Sequence, residues 1–156
     1  MAAHPGFSAF TAQRRLDAVF AGRTPLTPEE FFTRYFEERG FDRDLVLHIH
    51  KIFAENISLD LSRLSAIDDF SRELQFLWNY DSLADVEIVL DLETEFGIAI
   101  SDAEATRMTS LLAVVEVVND KLRRFELGGF RLPGLWQKMA HPRTVRGFLT
   151  PVTAPP

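Results

Sequence analysis

The sequence predicts an all-α fold, a bundle of about four helices with one further helix on its N-terminal side. Three observations carry this. Helix-start signals recur along the chain, as Thr27-Pro28-Glu29-Glu30, Asp42 and Ser101 with Glu104 three residues on. Apolar residues repeat at three- and four-residue intervals after the first two of them. No run alternates apolar and polar residues as a half-buried strand would.

Residues 1–25 form an N-terminal extension, in which Phe7, Phe10, Leu16, Val19 and Phe20 are imperfectly spaced for a short amphipathic helix. A domain over 26–127 follows. Thr27 suits an N-cap, Pro28 the first helical position and Glu30 the third, completing a capping box. Phe31, Phe32, Tyr35 and Phe36 then share a face, and Gly40 is placed to end the helix, so the first helix is predicted over 28–39. Those rings are expected to dock this helix onto the next. Asp42 caps a second helix running to about Asn56, with Leu45, Val46, Ile49, Ile52 and Phe53 inward. Residues 57–80 lack a period and predict a long loop pinned by Leu59, Leu61, Leu64, Ile67 and Phe70. A third long helix is predicted from Asp81-Ser82, with Leu83, Val86, Val89, Leu90 and Phe96 as its apolar face and Gly97 as its stop. Ile98 and Ile100 read as buried connectors. A short helix over about 102–106 follows. Thr109 is the expected cap of the last helix, whose face is Leu112, Val115, Val118, Leu122 and Phe125. Beyond Gly128-Gly129 the prolines predict loop or disorder in a basic tail, 128–156.

Composition bounds the chemistry. The 156 residues suit one compact domain with an extra segment, and average apolar and charged usage argues against overall disorder. With no cysteine there is no disulfide, thiolate metal site or cysteine nucleophile. No apolar run is long enough to cross a membrane and the first 25 residues lack a secretory core, so a cytoplasmic location is expected. Net charge is −6, distributed as +2 over 1–25, −14 over 26–120 and +6 over 121–156. So acidic a middle repels phosphate backbones, which disfavours nucleic acid as a partner of the core. The basic tail leaves contact with a membrane surface, or with the chain's own acidic core, as alternatives. His48 and His50, two residues apart, point to different helix faces and are not a chelating pair. No nucleophile elbow, phosphate loop or zinc-helix motif is present. Neither a catalytic residue nor a metal site is expected, and the chain is not read as an enzyme.

Residues 81–109 read DSLADVEIVLDLETEFGIAISDAEATRMT. This run resembles the acyl carrier proteins and the related carrier domains of polyketide and nonribosomal synthesis. The family pattern D-S-L, V-E-L-V-x-x-L-E-x-E-F, I-x-I-P-D-x-E-A and a Thr before the last helix matches without a gap. Asp81, Ser82, Leu83, Val86, Glu87, Glu93, Phe96, Ile98, Ile100, Asp102, Glu104 and Thr109 fall in register. Ile88 replaces a Leu and Ser101 the usual Pro. The likeness covers about 45–125. It departs before Asp81, where about four extra residues lie and where Asn79-Tyr80 hold the place of a family Gly; Asn tolerates the left-handed turn such a Gly would make.

The resemblance implies an acyl-carrier-like four-helix bundle with the additional N-terminal helix and a long loop before the carrier helix. It implies that Ser82 bears a 4′-phosphopantetheine arm, transferred from coenzyme A by a magnesium-dependent phosphopantetheinyl transferase. Acyl or aminoacyl groups would ride on the arm as thioesters, in fatty acid or secondary metabolite biosynthesis. Partners would be that transferase and acyl-activating, acyltransferase or condensing enzymes with basic patches, met by Asp81, Leu83, Asp85, Val86, Glu87 and Glu93. The bland alternative for Ser82 is a plain helix cap. The alternative for the chain is a carrier fold serving as a non-acylated interaction or regulatory module.

Overall fold

The structure, a computed structural model, describes residues 8–127. Among them are seven α-helices, one 3₁₀ turn and no strand, in agreement with the all-α expectation. The tail 128–156 and Phe7 lie outside the described residues.

Helix α1 spans Ala9–Val19, opened by the Ser8 hydroxyl accepting the Thr11 N–H. Ala12, Leu16 and Phe20 set its inward phase, whereas Phe10 is 69% exposed beneath the Arg14 guanidinium. Phe10 therefore leaves the expected face, because it is out of phase with the Ala12–Leu16 pair. The helix is fastened to the loop over 57–75. Asp17 pairs with Arg63, the Gln13 side chain accepts the Asp60 N–H at 2.9 Å, and Arg23 grips Asp68 through both nitrogens at 2.6 and 3.0 Å.

Helix α2 spans Pro28–Tyr35 with the expected Thr27–Glu30 capping box in both directions. The predicted single helix over 28–39 is shorter. It ends at Tyr35, and Glu37–Arg39 tighten into a 3₁₀ turn closed by Gly40 at φ 73°. The change of winding turns Phe36 into the core between Phe31 and Phe41, each 5.7 Å away between ring centres. Helix α3, Arg43–Asn56, is capped by Asp42 and buries the five predicted residues. Phe31 packs on His50 at 4.9 Å, which docks α2 on α3 as expected. Burial lowers the His50 pKa, while His48 faces Phe96.

The 57–75 stretch is a loop pinned by Ile57, Leu61, Leu64, Ala66, Phe70 and Leu74. Ile67 is exposed, and Ala66 takes its place inside. The Phe70 N–H donates to the Thr109 carbonyl at 2.8 Å and the Leu112 N–H to the Ala66 carbonyl at 2.9 Å, tying the loop to the last helix. The predicted loop does not continue to 80: Phe76–Tyr80 wind into a short helix, α4. Phe76 and Leu77 are buried beneath α1, with the Arg15 guanidinium 4.8 Å over the Phe76 ring. The tertiary contact supplies what a five-residue helix cannot supply from propensity alone.

Helix α5 spans Ala84–Phe96 and ends at Gly97, φ 61°. Helix α6, Asp102–Arg107, has its predicted Ser101–Glu104 capping box. Helix α7 spans Leu111–Leu127. Its cap is Ser110, whose hydroxyl accepts the Ala113 N–H at 3.2 Å, and not Thr109, whose carbonyl serves the loop. Leu111, Val114, Val115 and Val118 are its buried face, and Phe125 is exposed. Glu104 is also 2.9 Å from Lys121, which joins α6 to α7. The Ser101 N–H, then the Lys121 ammonium and the Ser101 hydroxyl, hold the Glu104 carboxyl down to about 2. A carboxyl lowered in the folded state contributes stability above its unfolded pKa and loses it as pH falls toward the folded one. The stability difference between the wild type and Glu104→Gln should thus be constant above about pH 5 and shrink between about 4.5 and 2, followed by urea unfolding at each pH. A difference independent of pH over that window would contradict the assignment.

Candidate functional site

Ser82 sits in the turn between α4 and α5. The Asp81 N–H closes α4 on the Leu77 carbonyl at 3.1 Å. Asp81 then turns the chain with φ −130° and ψ 99°, and its carboxylate accepts the Leu83 N–H at 3.2 Å. No non-glycine residue among those described has positive φ. The left-handed bend expected of Asn79 is therefore absent. Asn79 and Tyr80 are helical, and the extended Asp81 makes the corner.

Helix α5 begins at Ala84, later than the predicted start at Asp81-Ser82. Leu83 is the N-cap residue and its own side chain makes no cap bond, while the Asp85 carboxylate accepts the Val86 N–H at 2.8 Å. Ser82 is exposed, and its hydroxyl engages no protein group among the described residues. It differs in this from Ser8, Thr27, Asp42, Ser101 and Ser110, each of which accepts a backbone N–H at a helix start. The plain-cap reading of Ser82 is not what the structure shows.

The face of α5 also differs from expectation. Ala84, Ile88, Leu92 and Phe96, spaced by four, are buried against α3 and α7. Val89 is half-buried. Leu83, Val86 and Leu90, which the spacing places on the apolar face and of which Leu83 and Val86 are also candidate partner contacts, are 61%, 52% and 53% exposed. Packing along a four-residue ridge rotates them out. They form an apolar stripe that starts beside Ser82. Asp85 and Glu87 are exposed next to it, and Asp91 accepts the Asn56 amide at 2.8 Å. Glu93 is not a free surface charge: its carboxylate accepts the Ile100 N–H at 2.7 Å and holds the connector after Gly97. So of the six proposed recognition residues, Asp81, Leu83, Asp85, Val86 and Glu87 cluster around Ser82, and Glu93 has a structural bond.

A groove of about 480 Å³ opens between α4, α5 and α6, lined by Phe70, Trp78, Val86, Val89, Ala105 and Met108 among others. Periodicity alone reveals neither this groove nor Leu90 as a surface residue. The signal available is the Ala84-Ile88-Leu92-Phe96 spacing, which defines a stricter ridge than the Leu83-Val86-Val89-Leu90 face. No group of three or more metal-ligating side chains occurs among the described residues, and no described helix is long and apolar enough to cross a membrane.

The helical bundle thus presents on a turn, beside an acidic helix, a serine that engages no group among the described residues. An acyl carrier protein of Thermosynechococcus vestitus is 30% identical over 79 residues, covering 51% of this chain and 93% of that protein. An acyl carrier protein of a Cylindrotheca species is 27% identical over 81 residues, 52% of this chain and 96% of its own length. The polyketide-8 synthase acyl carrier protein 2 of Streptomyces avermitilis is 32% identical over 74 residues, 47% and 80% of the two chains. No family model matches the chain, and no solved structure matches it significantly. The chain belongs to the acyl carrier protein family. Membership supports a carrier function in general terms, in a family of carriers and not catalysts.

Proposed function

We propose that this protein carries acyl or aminoacyl groups as thioesters on a phosphopantetheine arm attached to Ser82, and delivers them to partner enzymes in the cytoplasm. The observation that carries the reading is the exposed Ser82 hydroxyl, which stands at a helix start yet caps nothing. The residues present fit the arm. A hydroxyl that bonds to no other group among the described residues is open to a transferase, and the dipole at the start of the 13-residue α5 favours the added phosphate. In the attachment step the Ser82 oxygen bonds to the pantetheine-side phosphorus of coenzyme A. The pyrophosphate bond breaks, adenosine bisphosphate leaves and the hydroxyl proton passes to the transferase. When bound, the arm supplies the thiol that this cysteine-free chain lacks. Val86 and the groove beside it offer the apolar wall against which a carried chain would shelter from water.

Incubation with coenzyme A, magnesium and a broad-specificity phosphopantetheinyl transferase should add one arm per chain, read by intact mass. No arm in that reaction, and none on protein isolated from its host, would favour the non-acylated interaction module.

Asp81, Asp85 and Glu87 steer basic partners toward Ser82 in this reading. Glu87→Lys should slow capture by the transferase severalfold at low salt while leaving the melting temperature unchanged, and the difference should fade as salt rises. Glu93→Lys should behave differently. Losing the acceptor of the partly buried Ile100 N–H should cost ~1–3 kcal/mol of stability in denaturant unfolding. Equal stability of the two variants would refute this division of roles.

A further inference from the structure

We propose that residues 128–156 of this same chain dock on the exposed face of α5 beside Ser82. The surface and the segment are complementary in two independent respects. Residues 81–96 carry six carboxylates and no cation, and no ion pair among the described residues involves any of them. The segment 128–156 carries Arg131, Lys138, Arg143 and Arg146 and no carboxylate side chain. The described cations beyond Asp120 do not change this imbalance: Lys121 is committed to Glu104, and only Arg123 and Arg124 stand with it at the end of α7. The apolar pattern matches as well. Leu83, Val86 and Leu90 form a stripe at three- and four-residue intervals on α5, and Leu132, Leu135, Trp136 and Met139 recur at intervals of the same kind in the segment. Neither charge nor apolar area alone would single out this face. Together they point to this face, where three exposed apolar residues of one helix lie among carboxylates that no described cation pairs, unlike Asp17, Glu29 and Asp68, which have Arg partners.

Reach is not limiting. Twenty-nine residues span up to about 100 Å when extended, against a radius of gyration of about 14 Å for a domain of this size. Attachment through α7 also places the segment at a millimolar effective concentration, so a contact too weak to form between separate molecules is populated within one. The proposal stands on this surface and does not depend on Ser82 being modified.

The chain has no cysteine, so a nitroxide can be placed at one position in the full chain through Thr144→Cys. At low salt the amide signals of Leu83, Val86, Glu87 and Leu90 should lose more than half their intensity relative to the reduced label. The loss should disappear in about 1 M salt, where the Debye length is ~3 Å, and in a variant with Arg131→Gln, Lys138→Gln, Arg143→Gln and Arg146→Gln. Full intensity at those amides in low salt would overturn the proposal. So would broadening that appears equally in unlabelled isotope-enriched chains mixed with labelled ones, which would assign the face to a second copy. Full α5 intensity together with binding of the chain to vesicles of anionic phospholipid would assign the segment to a membrane surface instead. Broadening insensitive to both salt and the charge variant would refute the electrostatic basis. Loss of the arm from Ser82, by contrast, would leave this readout unchanged, so the two readings fail separately.

Discussion

Ser82→Ala is expected to abolish arm attachment completely, from one added phosphopantetheine group per chain to none, with the fold intact. Both halves follow from the same observation. Ser82 is exposed and its hydroxyl engages no group among the described residues, so its loss removes the attachment point and no bond within them. An exposed position of this kind changes stability by no more than about 0.5 kcal/mol on substitution. Ser101→Ala is the matching control. Ser101 also starts a helix beside an acidic residue, but its hydroxyl and N–H are committed to the Glu104 capping box. That variant should keep the arm and lose ~0.5–2 kcal/mol of stability. Intact mass and urea unfolding on the two variants decide the matter. A residual mass gain in Ser82→Ala would place attachment elsewhere. A drop in its midpoint comparable to that of Ser101→Ala would make Ser82 a structural residue after all.

Of the single substitutions, the largest stability effect is expected from Phe36→Ala. Phe36 is 0% exposed and lies between Phe31 and Phe41, where α2 gives way to the 3₁₀ turn. Truncating a buried ring leaves a cavity as well as losing its transfer free energy, together ~3–5 kcal/mol. Against a typical total of about 5–15 kcal/mol this is a large fraction, and the unfolding midpoint should fall steeply at an unchanged denaturant slope. Phe10→Ala is the control, because that ring is exposed. A loss below about 1 kcal/mol at Phe36 would mean that α2 does not belong to the cooperative unit. Deleting residues 1–40 should be more damaging still, since it also removes Leu16, Phe20 and Phe31 from the core.

Elements defined by local chemistry are legible in the amino-acid sequence itself. The Thr27–Glu30 and Ser101–Glu104 boxes, the Asp42 cap, Gly40 and Gly97 each act within a few residues, and the observed helices start or stop there. Ser82 is legible for another reason, a run of matching residues at fixed spacing from Asp81 to Thr109. What stays hidden depends on partners far along the chain. Helix α4 forms because Phe76 and Leu77 are covered by α1, far earlier in the chain, a contact that no five-residue window contains. The last helix takes Ser110 as its cap because the Thr109 carbonyl is claimed by Phe70, which lies in the loop.

Helix α5 shows the division most directly. Its amphipathic sequence offers two overlapping apolar stripes, Leu83-Val86-Leu90 and Ala84-Ile88-Leu92-Phe96; the second is the stricter ridge, but each is apolar enough to face a core. Packing against α3 and α7 decides between them by burying the second. A helix can turn only one stripe to its neighbours, so choosing the inner ridge leaves the other in water beside Ser82. The chemistry of the carrier turn is thus written in adjacent residues, whereas the surface it presents to a partner exists only once distant helices have set the rotation of α5.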